Sequence, residues 1–246
     1  MLILAAIGGG AFFLASTIVS IRLLLLARRT RALPELLIGF GLLVLGSIGY
    51  PVAIVVETTG DAPTLQLAFS LLHALLQTLG QGAITVFTWR VFRPDAGWAR
   101  ALVYAFFGGV AVLALWQNAT PGWAAFAASK TGPWQHLPFF TLFSLGWAGG
   151  EALLYHRKLV RRLGLGLADA VATNRMWLWS LSILSAFLIS AIVSALRASG
   201  HELDPRSMGI VLGPLGLVSA GSMWLAFLPP HRYLHWVKAR ATAGGV

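Results

Sequence analysis

The chain has 246 residues, 57% of them hydrophobic and only 11% charged, with a net charge of +10 and no cysteine. A soluble domain is about 25% charged, so this composition, with a mean hydropathy of +0.77, belongs to a chain embedded in a bilayer. Disulfides, thiolate metal sites and a cysteine nucleophile are excluded with the cysteines.

Several apolar runs reach the roughly 20 residues that cross a bilayer. The first is expected over 2–27. It lacks the basic start of a cleaved signal peptide and is too long for one, so it reads as a retained helix. Gly8, Gly9 and Gly10 allow close helix contact there, and Arg22 lies shortly before the cluster Arg28, Arg29, Arg31. Pro34 opens a second span, 34–56, with a kink expected at Tyr50-Pro51. A short acidic loop containing Glu57 and Asp61 leads to the third span, 64–93.

The third span is apolar, yet Gln66, Ser70, His73, Gln77, Gln81 and Thr88 recur at steps of four, three, four, four and seven. That spacing sets all six on one narrow helical face. A thin uncharged line flanked by Leu, Ala, Phe and Val is expected to turn inward, to other helices or to a cavity. The line carries the first candidate site, with Gln66, Ser70, His73, Gln77 and Gln81 lining a cavity or contacting a ligand. Interhelical hydrogen bonding is the plainer alternative.

A fourth span is expected over 97–116. The long, nearly uncharged loop 117–132 follows, where Trp123 and Phe126 read as interfacial anchors. The fifth span, 134–155, ends in His156, Arg157, Lys158, Arg161 and Arg162. Asp169 is a plausible N-cap for the sixth, 170–198. A loop with Glu202 and Asp204 precedes the seventh, 208–228, which stops at Pro229-Pro230. Gly209, Gly213, Gly216 and Ala220 share one face of that helix, the pattern of tight packing, with a hinge at Gly213-Pro214 as the alternative. The tail 231–246 reads as a basic amphipathic helix on the membrane surface. No soluble output domain is expected.

Glu151 is the one acidic residue well inside a span. A carboxylate there costs about 2.5–3.5 kcal/mol on insertion scales unless paired or protonated. It shares a face with Thr141, Ser144, Ala148 and Tyr155, so it is expected to point into the bundle. Two roles fit: a structural ion pair with Arg22 at similar depth, or a proton-linked or cation-binding group.

The basic residues orient the helices. With the N-terminus outside, fifteen of the eighteen Lys and Arg fall on the cytoplasmic side, and only Lys130, Arg197 and Arg206 lie outside. This positive-inside bias favours N-out and C-in. It also accounts for the net charge through topology and anionic-lipid contact, leaving no need for nucleic acid. The expectation is an all-α integral membrane protein: a seven-helix bundle over 1–230 and a cytoplasmic tail, multi-pass in a cell inner membrane. The lysine-poor, alanine- and arginine-rich composition suggests a bacterial one.

Catalytic signatures are missing, including His-Glu-x-x-His, Gly-x-Ser-x-Gly and any three-histidine set. His231 and His235 are too few to hold a metal, and His73 alone cannot supply facing haem ligands. Neither an enzyme nor a cofactor is expected.

Seven spans, N-out and C-in, with a short basic tail resemble the heptahelical receptors and microbial rhodopsins. Rhodopsins carry retinal on a lysine of the seventh helix, and 208–228 has none. The layout is also similar to the seven-helix sensor regions that precede kinase domains in bacterial membrane sensors. The stretch 170–179, with Asn174-Arg175 before an aromatic run, carries that likeness. PQ-loop sugar transporters share the topology, but their Pro-Gln pair and repeat are not visible. The resemblance implies a sensor or receptor with a polar pocket beside the third helix, a small-molecule ligand and a cytoplasmic signalling partner. The alternatives are a small-solute or proton-coupled transporter using Glu151, and a non-catalytic scaffold subunit.

Overall fold

The structure is a computed structural model that describes residues 2–58, 62–129, 132–199 and 205–243, without the side chains of 2–5, 57, 205–208, 210 and 241–243. Of the expected acidic loop, Glu57 falls within the helix that ends at Thr58 and only its side chain is outside that description, whereas Asp61, Lys130 and the loop carrying Glu202 and Asp204 fall outside it altogether. So does the side chain of Arg206.

Ten α-helices account for most of the described residues, and no strand occurs among them. They are α1 (Leu2–Thr30), α2 (Leu33–Leu42), α3 (Tyr50–Thr58), α4 (Pro63–Phe92), α5 (Gly97–Ala119), α6 (Trp123–Ser129), α7 (Leu137–Leu163), α8 (Ala170–Ala198), α9 (Pro205–Phe227) and α10 (His231–Ala243). Six of the described helical stretches are long and apolar enough to cross a membrane. Val211–Phe227 with His231–Arg240, bent by 84°, raises the number to seven when counted as one span. Side chains such as Leu14, Ile18, Ile21 and Leu25 on α1 are exposed. Apolar side chains presented outward along so many helices call for lipid around them, since water would not tolerate so large an apolar surface.

The chain divides into two compact units, Ser16–Ser144 and Met1–Ala15 with Leu145–Val246. In the first, the chain departs from regular α-helix just before Tyr50-Pro51, where a kink was expected. Leu43–Gly49, joining α2 to α3, is a π-helical segment. Pro51 has no N–H, and its ring crowds the carbonyl four residues back; a wider turn just before it relieves both. The residue at 49 must be glycine, because a Cβ there would lie 2.7 Å from the Val44 carbonyl oxygen. The span remains continuous from Leu33 to Val56.

The loop after α5 is more structured than an interfacial anchor. Its residues form α6, which packs on α4, with Trp123 edge-on to the buried Trp134 at 5.0 Å. Gln117 organises the turn. Fully buried, it donates from Nε2 to the Gly122 carbonyl (2.9 Å) and accepts at Oε1 from the Trp134 N–H (3.0 Å). Ala74, Phe106, Val110, Leu113, Trp134 and Leu137 form the apolar core beneath it.

In the second unit, α8 starts where Asp169 was expected to cap it: Oδ2 accepts from the Ala172 N–H at 2.9 Å, an interaction worth about 1 kcal/mol. The small-residue face of α9 packs tightly. A Cβ on Gly8 of α1 would sit 2.6 Å from the Gly213 carbonyl oxygen, so the two backbones touch. Pro214 lies inside α9 without interrupting it, so the hinge alternative gives way to packing. The chain turns only at Pro229-Pro230. There, α10 is pinned to α8 by a 2.8 Å hydrogen bond from Asn174 Nδ2 to the Tyr233 hydroxyl.

Candidate functional site

Helix α4 runs thirty residues from a proline in its first turn to the break before Pro94. Most of its leucines lie away from its polar line, Leu76 being buried. Leu65, Leu71, Leu72, Leu75 and Leu79 are exposed. On the opposite side Ser70 and Gln81 are each 5% exposed and Thr88 is fully buried, while Gln66, His73 and Gln77 are half-buried. The line therefore points into its unit, as a 3.6-residue period requires when the other face meets lipid.

The line then divides by function along its length. Its lower part is a structural knot. Thr85 Oγ1 donates to the Gln81 backbone carbonyl (2.8 Å) and lies 3.0 Å from Ser144 Oγ, which itself donates to the same carbonyl at 3.1 Å. Thr88 Oγ1 bonds the Ile84 carbonyl at 2.8 Å. These hydroxyls tie α7 to α4 and to the helix's own backbone. Thr85 lies on the same repeat, four residues after Gln81 and three before Thr88, and the sequence reading passed over it. Its place beside Ser144 depends on how α7 crosses α4.

The side chains of Ser70 and Gln81 behave differently. Ser70 Oγ and Gln81 Oε1 are buried with no hydrogen-bond partner among the described residues. A buried acceptor left unsatisfied costs about 1–3 kcal/mol, and such groups in native structures mark water, ions or ligands. At Gln81 the surroundings are tight, since a Cβ on Gly80 would meet Leu45 Cγ at 2.4 Å.

The expected pocket does not coincide with two cavities that the structure contains. One of about 230 Å3 lies between α5 and α7, walled by Leu102, Ala105 and four phenylalanines, 106, 139, 140 and 143. It is apolar and includes no member of the polar line. The line is a row of separate buried groups, and Ser70 and Gln81 are three helical turns apart.

In the other unit Glu151 is 8% exposed, between Ala148 and Ala152, which are fully buried. The inward direction expected for it holds, although Tyr155, expected on the same face, is 40% exposed. Arg22 is exposed on α1 and belongs to the first unit, so its pairing with Glu151 is a matter for the double-variant test below. The same unit holds a feature that the sequence reading missed. Ser182 Oγ donates to the Ser219 carbonyl (2.9 Å), and Ser219 Oγ donates to the Ser182 carbonyl (3.1 Å). This clasp joins α8 to α9, with Ser180, Ser185 and Ser222 also buried. Serines spaced two and three apart among leucines and isoleucines were the available signal.

His156 Nδ1 lies 3.0 Å from the Thr173 carbonyl, and the ring sits 5.4 Å from that of Trp177. Asn174, part of the sensor-like stretch, holds α10 as described above. His231 and His235 are exposed, and no cluster of three or more His, Cys, Asp or Glu suited to a metal occurs among the described residues. No known protein family, no curated protein and no solved structure matches this chain.

Proposed function

We propose that this chain is a seven-span membrane protein of sensor or receptor type, N-out and C-in in a bacterial inner membrane, that takes a small polar ligand or ordered water along the inner face of α4. One observation carries the reading: Ser70 Oγ and Gln81 Oε1 are buried polar atoms without a partner among the described residues. A scaffold helix would be expected to satisfy or omit such groups, because each costs about 1–3 kcal/mol in an apolar interior. His73 and Gln77, half-buried between them, supply donors and acceptors that a ligand could use. The seven-span count takes α9 and α10 together. The orientation rests on the basic residues at the helix ends.

The absence of cysteine makes the test background-free. Single cysteines at His73 and Gln77 should react with a water-soluble, membrane-impermeant maleimide added outside intact cells, because thiolate chemistry needs water at the site. Cysteines at Leu71 and Leu75, on the opposite face, should not. A cysteine at the exposed Ala125 should label from outside, and one at Arg161 only after the membrane is opened. Equal silence at positions 73, 77, 71 and 75 would remove the pocket, and labelling of position 161 in intact cells would reverse the orientation.

A second reading has its own observation, the buried Glu151 in α7. A carboxylate held inside a membrane helix is the group that a proton-coupled transporter of small solutes would use.

A further inference from the structure

A cavity of about 200 Å3 opens at the turn between α1 and α2, walled by Ala27, Arg28, Arg31, Ala32, Leu33 and Leu36. Its lining is split in chemistry, two guanidinium side chains against four apolar ones. Both arginines are exposed, and neither has a carboxylate partner among the described residues. Glu35, the acid in the first turn of α2, does not wall the cavity. Its buried Oε2 bonds to nothing among the described residues, so that oxygen makes no ion pair with either arginine. Arg31 adopts φ +53°, which reverses the chain between two helices and keeps residues 28 and 31 at the same mouth.

The depth of the cavity follows from the helices that flank it. The spans Ala6–Thr30 and Leu33–Val56 are both long and apolar enough to cross. Twenty-five residues at about 1.5 Å each exceed the roughly 30 Å of hydrocarbon. The turn therefore emerges at the level of the lipid headgroups, whichever way the bundle is inserted. At that level the molecules offering an anionic phosphate joined to an apolar chain are phospholipids.

We infer that this cavity is a binding site for an anionic phospholipid, with Arg28 and Arg31 holding the phosphate and Leu33 and Leu36 holding the start of an acyl chain. The site is independent of any ligand on α4. Guanidinium groups suit phosphate because they donate paired hydrogen bonds in a fixed fork. The first turn of α2 adds its positive end, since the N-cap residue Ala32 has no side-chain acceptor to occupy it.

The test is native mass spectrometry of the detergent-purified full chain, titrated with phosphatidylglycerol or phosphatidylcholine. Phosphatidylglycerol should be retained and phosphatidylcholine should not. Arg28→Gln with Arg31→Gln should weaken retention roughly thirtyfold, the effect expected of two interfacial arginines. Arg161→Gln with Arg162→Gln, on the basic end of α7, removes the same charge from residues that do not wall this cavity and should leave retention unchanged. Circular dichroism melting of both variants checks that each is folded. Equal losses in the two variants would overturn the site in favour of diffuse attraction, and equal retention of the two lipids would overturn the charge recognition. Displacement of phosphatidylglycerol by millimolar inorganic phosphate would reassign the cavity to a free anion.

Discussion

Ser182 on α8 and Gln81 on α4 are both buried polar residues within apolar helices, and their neighbourhoods treat them in opposite ways. Ser182 and Ser219 exchange hydrogen bonds with each other's backbone, so each hydroxyl is used twice over at a single crossing. Gln81 lends its backbone carbonyl to Thr85 and Ser144, but its side-chain oxygen is left buried and unpartnered. In lipid no water competes for these groups, so a polar side chain either finds a neighbour or carries its desolvation cost uncompensated. The serine seam therefore reads as adhesive. The α4 line reads as adhesive at Thr85 and as a site where Ser70 and Gln81 remain open.

The largest effect expected of a single change lies at Glu151, which belongs to neither class until its counter-charge is known. On the structural-pair reading Glu151→Gln strands a charge and costs about 3–5 kcal/mol, and Arg22→Met in the same chain recovers much of that loss. Melting of the two single variants and the double in detergent measures the coupling. Additive losses would dissolve the pair and make Glu151 the stronger functional candidate. The exposure of Arg22 is what makes this cycle worth running, since an exposed guanidinium is well placed to serve the membrane interface instead.

A smaller effect of opposite sign is expected on α4. Gln81→Met keeps the side-chain length and removes the unsatisfied acceptor, so the melting point should rise, by a free energy of about 1–3 kcal/mol. A destabilised variant would mean that Gln81 has a protein partner in solution and that the contrast with the serine seam is false. The smallest effect belongs to the clasp itself. Ser182→Ala with Ser219→Ala should cost about 1 kcal/mol, at roughly 0.6 kcal/mol per interhelical bond in a membrane. A loss several times greater would promote the seam from adhesive to keystone of its unit.

Much of this architecture was legible in the residues. The helix bounds follow from apolar runs closed by Pro34, Pro63, Pro94 and Pro229, and Asp169 caps α8 because a carboxylate before an apolar run satisfies free N–H groups. The inward turn of the α4 line came from its period alone, because a helix has only one narrow face for residues spaced three and four apart. The burial of Glu151 was legible for the same reason.

What tertiary structure alone decided is which polar atoms meet. Thr85 finds Ser144 fifty-nine residues away, Ser182 finds Ser219 across thirty-seven, and Gln117 closes a turn that composition suggested was a loose interfacial loop. Periodicity fixes the face on which a side chain lies, but a hydrogen bond needs a partner within about 3 Å. That partner is set by how two helices cross, a property of packed surfaces that no single helix encodes. For the same reason the sequence marked Ser70 and Gln81 as members of one polar line, and only the packing around them left Ser70 Oγ and Gln81 Oε1 without partners among the described residues.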